Sequence, residues 1–487
     1  MIGRRLLVGL FVVALMATWA PLGAQEVEQA EEVQAPPTPP KIAVEEYGRE
    51  TTEPEERLTW EEFCEQCKNP LPWFSWGAQI RIREEMLENA VDLNSDRDVQ
   101  DPRNYFRLRY RLWGRLGDFL TVPELEQKNG LSLYARLTGE PRFHLEDGFE
   151  DDNQWTETVW DNLFVEYQRI AGLPVSLKVG RQDLVYGVGF VILDGTPLDG
   201  SRTIYNDAAK ATLHLDAAQT TVDFLAIDNQ GIDYRLKPFD HDEAPVDQFD
   251  IRLLGVYAIN KTLKNNEFHA YYLHKDEDPL EQYASLGGRI VQTAGALARG
   301  TCGQGTDYYL ELAGQWGDEG DENIESWGLS SDLGYTFKNA VWTPRVHLAY
   351  EWLRGDDPDT DTYEGWDNVL ARWPHWSELF VFRTAAETGR PGLYTNLHRI
   401  AGGASVNPIE RMKFNADYSL LLGDENQEGS QYDDGDVRGH LLTTVLSYRF
   451  SKWVSGHLWF EYFWPGDFYS SGTDEAYFAR WELTFDF

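Results

Sequence analysis

From Trp73 onward the chain reads with a period of two. In Arg107-Leu108-Arg109-Tyr110-Arg111-Leu112-Trp113, basic and apolar residues alternate. The last stretch repeats the pattern, with Tyr477, Ala479, Trp481, Leu483, Phe485 and Phe487 on one side and Arg480, Glu482, Thr484 and Asp486 on the other. Successive side chains of a strand point to opposite faces, so each stretch predicts one apolar and one polar face. Candidate strands fall at 73–87, 103–117, 130–145, 157–170, 174–183, 202–215, 219–228, 249–260 and 266–275. They continue at 284–298, 307–316, 325–337, 343–353, 394–407, 411–422, 438–450, 454–464 and 476–487.

The connections alternate in length. Short ones lie at 171–173, 216–218, 261–265, 338–342, 408–410 and 451–453, and long acidic ones at 87–102, 146–156, 230–248, 355–392 and 423–436. Short periplasmic turns and long outer loops are the rule of outer-membrane barrels, whose strand number is even. The expectation is an all-β fold: a single transmembrane antiparallel β-barrel of about 18 strands over 71–487, lipid outside and water inside. A half-buried strand of a soluble sheet competes for any one stretch. It does not account for the alternation of loop lengths.

The region before the barrel differs. Met1-Ile2-Gly3-Arg4-Arg5, an apolar run to Trp19 and Ala24 at the cut describe a secretory signal over 1–24. Residues 25–70 are rich in Glu and Pro without periodicity and read as a flexible periplasmic extension. No later apolar run approaches the roughly 20 residues of a spanning helix. The expected location is therefore the outer membrane, with lipid as one partner and a monomer as the assembly.

Composition sharpens this. Lys and Arg number 43 against 81 Asp and Glu, a formal charge of −38, which argues against nucleic acid as a partner. Aromatics make up 14% of the chain, as the interfacial girdles of a barrel require. Cys64-Glu65-Gln66-Cys67 is a CxxC, which serves a redox pair, half a zinc site or a local disulfide; a Cys64–Cys67 disulfide is the favoured reading in an exported protein.

If apolar residues face lipid, the basic ones face the lumen. This rule places Arg81 and Arg83 inward on the first strand, Arg107, Arg109 and Arg111 on the second, and Arg136 and Arg142 on the third. It also points Lys178, Lys210, His214, Arg252, Arg289, Arg345 and Arg480 inward. An Arg on the lipid face at mid-bilayer would cost about 2–4 kcal/mol. Guanidinium groups pair carboxylates bidentately, and rings of them select anions. Two roles stay open for each: contact with a permeant anion, or a salt bridge to lumen acids such as Glu85, Glu140 and Glu482. The run 355–361 resembles a calcium loop but has Thr362 and Asn368 where Gly and a closing Glu belong, so no metal site is expected. No nucleophile–base pairing and no cofactor motif stands out, so no enzyme activity is expected.

Leu177-Lys178-Val179-Gly180-Arg181-Gln182-Asp183-Leu184, then Asp194-Gly195-Thr196-Pro197-Leu198-Asp199-Gly200 with Arg202, and the Phe-terminated last strand resemble the alginate export family of outer-membrane proteins. The resemblance spans about 73–487. It implies an 18-stranded barrel with an electropositive, Arg-rich constriction that passes an acidic polysaccharide outward, fed by periplasmic secretion partners. The acidic extension with its CxxC departs from that family's best-known members. A diffusion porin for small anions or sugars is the alternative, and a barrel enzyme or adhesin a second one.

Overall fold

The computed structural model describes residues 60–94, 103–125, 127–145, 155–193, 205–233, 246–320, 322–372, 374–390, 392–427, 429 and 432–487. The signal, nearly all of the acidic extension and the 194–202 motif lie outside the described residues. Helix α1 (Trp60–Lys68) precedes the first strand. Cys64 and Cys67 on it are free thiols, as is Cys302, so the expected bridge is not formed.

The wall is built from strands that alternate as the sequence suggests. They are β1 (Phe74–Glu88), β2 (Arg103–Phe119), β3 (Gly130–His144), β4 (Trp155–Gln168), β5 (Val175–Gln182) and β6 (Asn206–Leu215). Next come β7 (Thr220–Asn229), β8 (Phe249–Asn260), β9 (Asn266–Pro279), β10 (Arg289–Cys302), β11 (Thr306–Glu319), β12 (Glu322–Thr336) and β13 (Arg345–Leu353). After the two-residue β14 (Thr362–Tyr363) follow β15 (Leu397–Val406), β16 (Met412–Leu422), β17 (Val437–Arg449), β18 (Val454–Pro465) and β19 (Ala476–Asp486). Neighbours pair antiparallel, and β1 pairs β19 with Ile80 opposite Phe485, which closes the sheet. β14 lies outside the ladder: it pairs parallel with β12, while β13 pairs directly with β15. The result is a closed antiparallel barrel of 18 strands with no free edge.

Strand β10 begins later than the sequence suggests. Glu281–Leu286 forms a 3-10 turn, and Gly287 sits at φ 74, which breaks the strand before Arg289.

The outer parity is apolar. Ile80 is 55% exposed, Leu254 62% and Leu348 69%, and Leu112, Phe224 and Leu333 stand on the same face. A continuous band of this kind, unaccounted for in water, is the lipid-facing belt of a membrane barrel.

The lumen is partly filled. Two long connections, 183–193 after β5 and 354–396 after β13, fold into it and meet each other. Ile192 bridges Leu370, the amide of Leu370 donates to the Val191 carbonyl at 3.0 Å, and the rings of Phe190 and Trp366 stack at 5.2 Å. The second connection carries helix α2 (Leu379–Thr388). These segments share one buried cluster with the inward residues Leu225, Leu253, Tyr257 and Leu273 of β7–β9. Each fully buried apolar side chain contributes about 1.5–3 kcal/mol, so the packing holds both segments firmly.

Candidate functional site

One side of the lumen is basic. Along β1, Gln79, Arg81, Arg83 and Glu85 point inward, and the β2 register sets Arg109 opposite Arg81, Arg107 opposite Arg83 and Arg111 opposite Gln79. On the other flank β19 sets Glu482 opposite Arg83 and Arg480 opposite Glu85. Ion pairs run through this patch. Arg81 reaches Glu140 at 3.3 Å, Arg83 reaches Glu85 at 2.8 Å, and Arg107 pairs with Glu140. Arg480 lies 3.2 Å from Glu85 and 2.8 Å from Glu378 of the in-folded segment. Arg81, Arg83 and Arg480 are almost wholly buried.

Further round, Arg111 approaches Asp161 at 3.6 Å, and Arg136 bridges Asp161 at 2.9 Å and Asp183 at 3.0 Å. Arg142 is the open member of this group, its side chain 41% exposed and 3.4 Å from Glu140. Lys178 lies over the Phe164 ring at 3.8 Å. Arg289 contacts Glu319 at 2.9 Å and Asp367 at 3.4 Å, and Arg345 pairs with Asp307 and Asp332. These residues fall on the inward parity that the sequence suggests.

Arg252 does not. On β8 the buried residues are Phe249, Ile251 and Leu253, while Arg252 shares the outer face with Leu254 and pairs with Asp278 at 3.4 Å. The rule that apolar residues face lipid fails here because the lumen itself is apolar at this point. Ile251 and Leu253 belong to the buried cluster that includes Phe190 and Ile192.

The in-folded segment is anchored on charges that the barrel projects. Glu461 of β18 accepts from the amides of Glu378 at 2.8 Å and Leu379 at 3.1 Å, and from the Ser377 hydroxyl. A carboxylate at a helix N-terminus satisfies orphan amides and opposes the helix dipole. At the other end Glu387 joins Arg383, 2.8 Å away, to Arg438 of β17. Burial alone would push the Glu387 carboxyl up, but Arg438 and Arg383 hold it below the ordinary carboxylate range. Asp367 pairs with Lys275, and Arg390 with Glu277. Burial pushes His375 down to about 4, so it is neutral at pH 7.

The two segments touch at close quarters. Gly189 has φ 88, and a Cβ there would stand 3.0 Å from the His375 ring. In the GRQ stretch, Gly180 has φ 123 and a Cβ would collide with the Leu163 carbonyl oxygen. The next residue, Arg181, pairs with Asp207 and Asp233 at 2.8 Å each and stacks on Tyr205. Gly180 and Arg181 thus form a tightly held corner at the end of β5.

The sequence reading missed the anchors Lys275, Arg383, Glu387, Arg390 and Arg438. A signal was present: Leu379-Phe380-Val381-Phe382 is an apolar run inside a connection otherwise rich in acids.

A closed barrel with a lipid-facing belt and a charged, partly filled lumen defines an outer-membrane channel. The family model for alginate export matches residues 72–481, and the chain belongs to that family. Among solved structures, OccK9 (OpdG) of Pseudomonas aeruginosa superposes with a TM-score of 0.54 at 10% identity, over 84% of this chain and 98% of that one. OccK5 (OpdH) of the same organism gives 0.52 at 13% identity, over 84% and 97%. OccK2 (OpdF) in complex with glucuronate, also from that organism, gives 0.52 at 10% identity, over 84% and 97%. At such identities these likenesses concern the fold. No curated relative matches the sequence.

Proposed function

We infer that the channel passes an anionic solute along its basic wall, and that the solute is an acidic polysaccharide such as alginate. The observation that carries this reading is the register of β1, β2 and β19, which gathers Arg81, Arg83, Arg107, Arg109, Arg111 and Arg480 on one inward surface. Burial divides the work. Arg81, Arg83 and Arg480, sealed in ion pairs, hold the wall and its field. Arg142, Lys178, Lys210 and Arg345, with accessible side chains, meet the solute. Many acids lie in the long connections, and those on the inward wall, such as Glu85, Glu140 and Glu482, are engaged in ion pairs with the buried arginines.

Passage of single uronates or other small anions is a second reading. It is favoured by the in-folded segments, which occupy the lumen and would have to move for a polymer. The glucuronate complex of OccK2 (OpdF) concerns a barrel of the same fold and fits either reading. Single-channel recording separates them. For a polymer path, a long oligouronate added on the short-turn side interrupts the current in events that lengthen with chain length. Events that do not depend on chain length would leave only the small-anion reading.

A further inference from the structure

We propose that a cavity at the short-turn end of the lumen, floored by Lys178 and Lys210, is a docking subsite for one carboxylate of a uronate chain before it enters the barrel. The proposal rests on the anion-path reading above and gives that path a first station.

The cavity has a volume of about 310 Å³. It lies between the inward faces of β4–β7, beside the turn that joins β4 to β5 and the turn that carries Lys128. Lys178 and Lys210 stand directly opposite each other in the β5–β6 register. Like charges opposite one another in a sheet are destabilising; Glu166 opposite Lys178 in the β4–β5 register and Asp223, 3.9 Å from Lys210, offset this in part, and Lys128 adds a further positive charge to the lining.

Most of the groups nearby that could neutralise the pair are otherwise engaged. Asp223 accepts from the Tyr186 hydroxyl at 2.6 Å and from the Thr212 hydroxyl, and Lys210 comes no closer to it than 3.9 Å. Arg169 and Asp216 pair with each other through two contacts of 2.7 Å. His214 is bound to the Ser176 hydroxyl at 2.8 Å. Glu166 lines the cavity but forms no ion pair with either lysine among the described residues. Lys178 has its ammonium 3.8 Å over the Phe164 ring. Two ammonium groups beside the Thr221 hydroxyl, with Lys128 at the rim, match a sugar carboxylate.

The position fits loading. Short turns of outer-membrane barrels face the periplasm, so the cavity meets a solute arriving from inside the cell. A uronate carboxylate held there would relieve the repulsion between the lysines.

The test uses the full chain in a planar bilayer, with a short oligoglucuronate added on one side at a time. Wild-type current should be blocked at lower concentration from the short-turn side. Lys178→Gln with Lys210→Gln should raise that blocking concentration about tenfold for each lysine lost and leave block from the long-loop side unchanged. Lys178→Arg with Lys210→Arg should retain block, which separates charge from folding. A neutral oligoglucose of equal length should not block. Equal block of wild type and the Gln pair from the short-turn side overturns the subsite while the anion path stands. A wild-type channel that is cation-selective and unblocked from either side overturns the path, and the subsite with it.

Discussion

Glu461 is the residue on which the in-folded segment hangs. Its carboxylate takes the amides of Glu378 and Leu379, the Ser377 hydroxyl and the Trp459 indole at 2.7 Å, all in a buried place. A buried donor left without its acceptor costs about 1–3 kcal/mol. Glu461→Ala is therefore expected to free segment 354–396 without unfolding the barrel, read as faster protease cleavage within it. Cleavage at the wild-type rate would contradict the anchoring role. His375 adds a pH dependence with a definite sign. Its folded-state pKa of about 4 lies below the ordinary 6.5, so its contribution to stability is present above 6.5 and is lost as pH falls towards 4. Full protonation would withdraw roughly 3 kcal/mol. Glu387, held ionised by Arg438 and Arg383, keeps its latch through that window. Cleavage of the segment should thus rise between pH 6.5 and 4 in the wild type and rise less in His375→Phe. Parallel curves would assign the effect elsewhere.

At the scale of elements, the buried arginines and the in-folded helix make opposite predictions. Arg83→Ala removes one partner each from Glu85 and Glu482, which keep Arg480 and Arg81, and breaking a buried pair costs up to about 3–5 kcal/mol. The barrel should unfold in vesicles at a lower urea concentration. Excision of 374–392 removes α2 and should raise conductance severalfold; unchanged conductance would show that the segment does not fill the path. The strands themselves were legible because period-two alternation is imposed by lipid on one face and water on the other. Where that condition holds, as for Arg107, Arg109 and Arg111 between Leu108, Tyr110 and Leu112, the inward assignment agrees with the register. Where the lumen is packed with protein it fails. Ile251 and Leu253 are as apolar as lipid-facing residues yet point inward, so Arg252 was assigned to the wrong face. The helix α2 was hidden for a similar reason: its apolar run signals burial without saying against what. The anchoring pairs, Glu461 with residues 377–379 and Arg438 with Glu387, join residues far apart in sequence, and no local pattern reports them.

For the whole molecule, two surfaces have opposite tolerances. A charge introduced at the outer belt, as in Leu348→Lys, should cost about 2–4 kcal/mol at mid-membrane and lower the folded fraction in lipid vesicles. The inward surface of β1, β2 and β19, by contrast, gathers Arg81, Arg83, Arg107, Arg109, Arg111 and Arg480 in a protein whose formal charge is −38. That contrast between net charge and local field is the central claim, and net charge alone would forecast the reverse. The zero-current potential of single channels of the full chain in a potassium chloride gradient tests it most directly. The potential should have the sign set by chloride and shift towards zero when Arg142, Lys178 and Lys210 are replaced by Gln together. A potential of the sign set by potassium would contradict it.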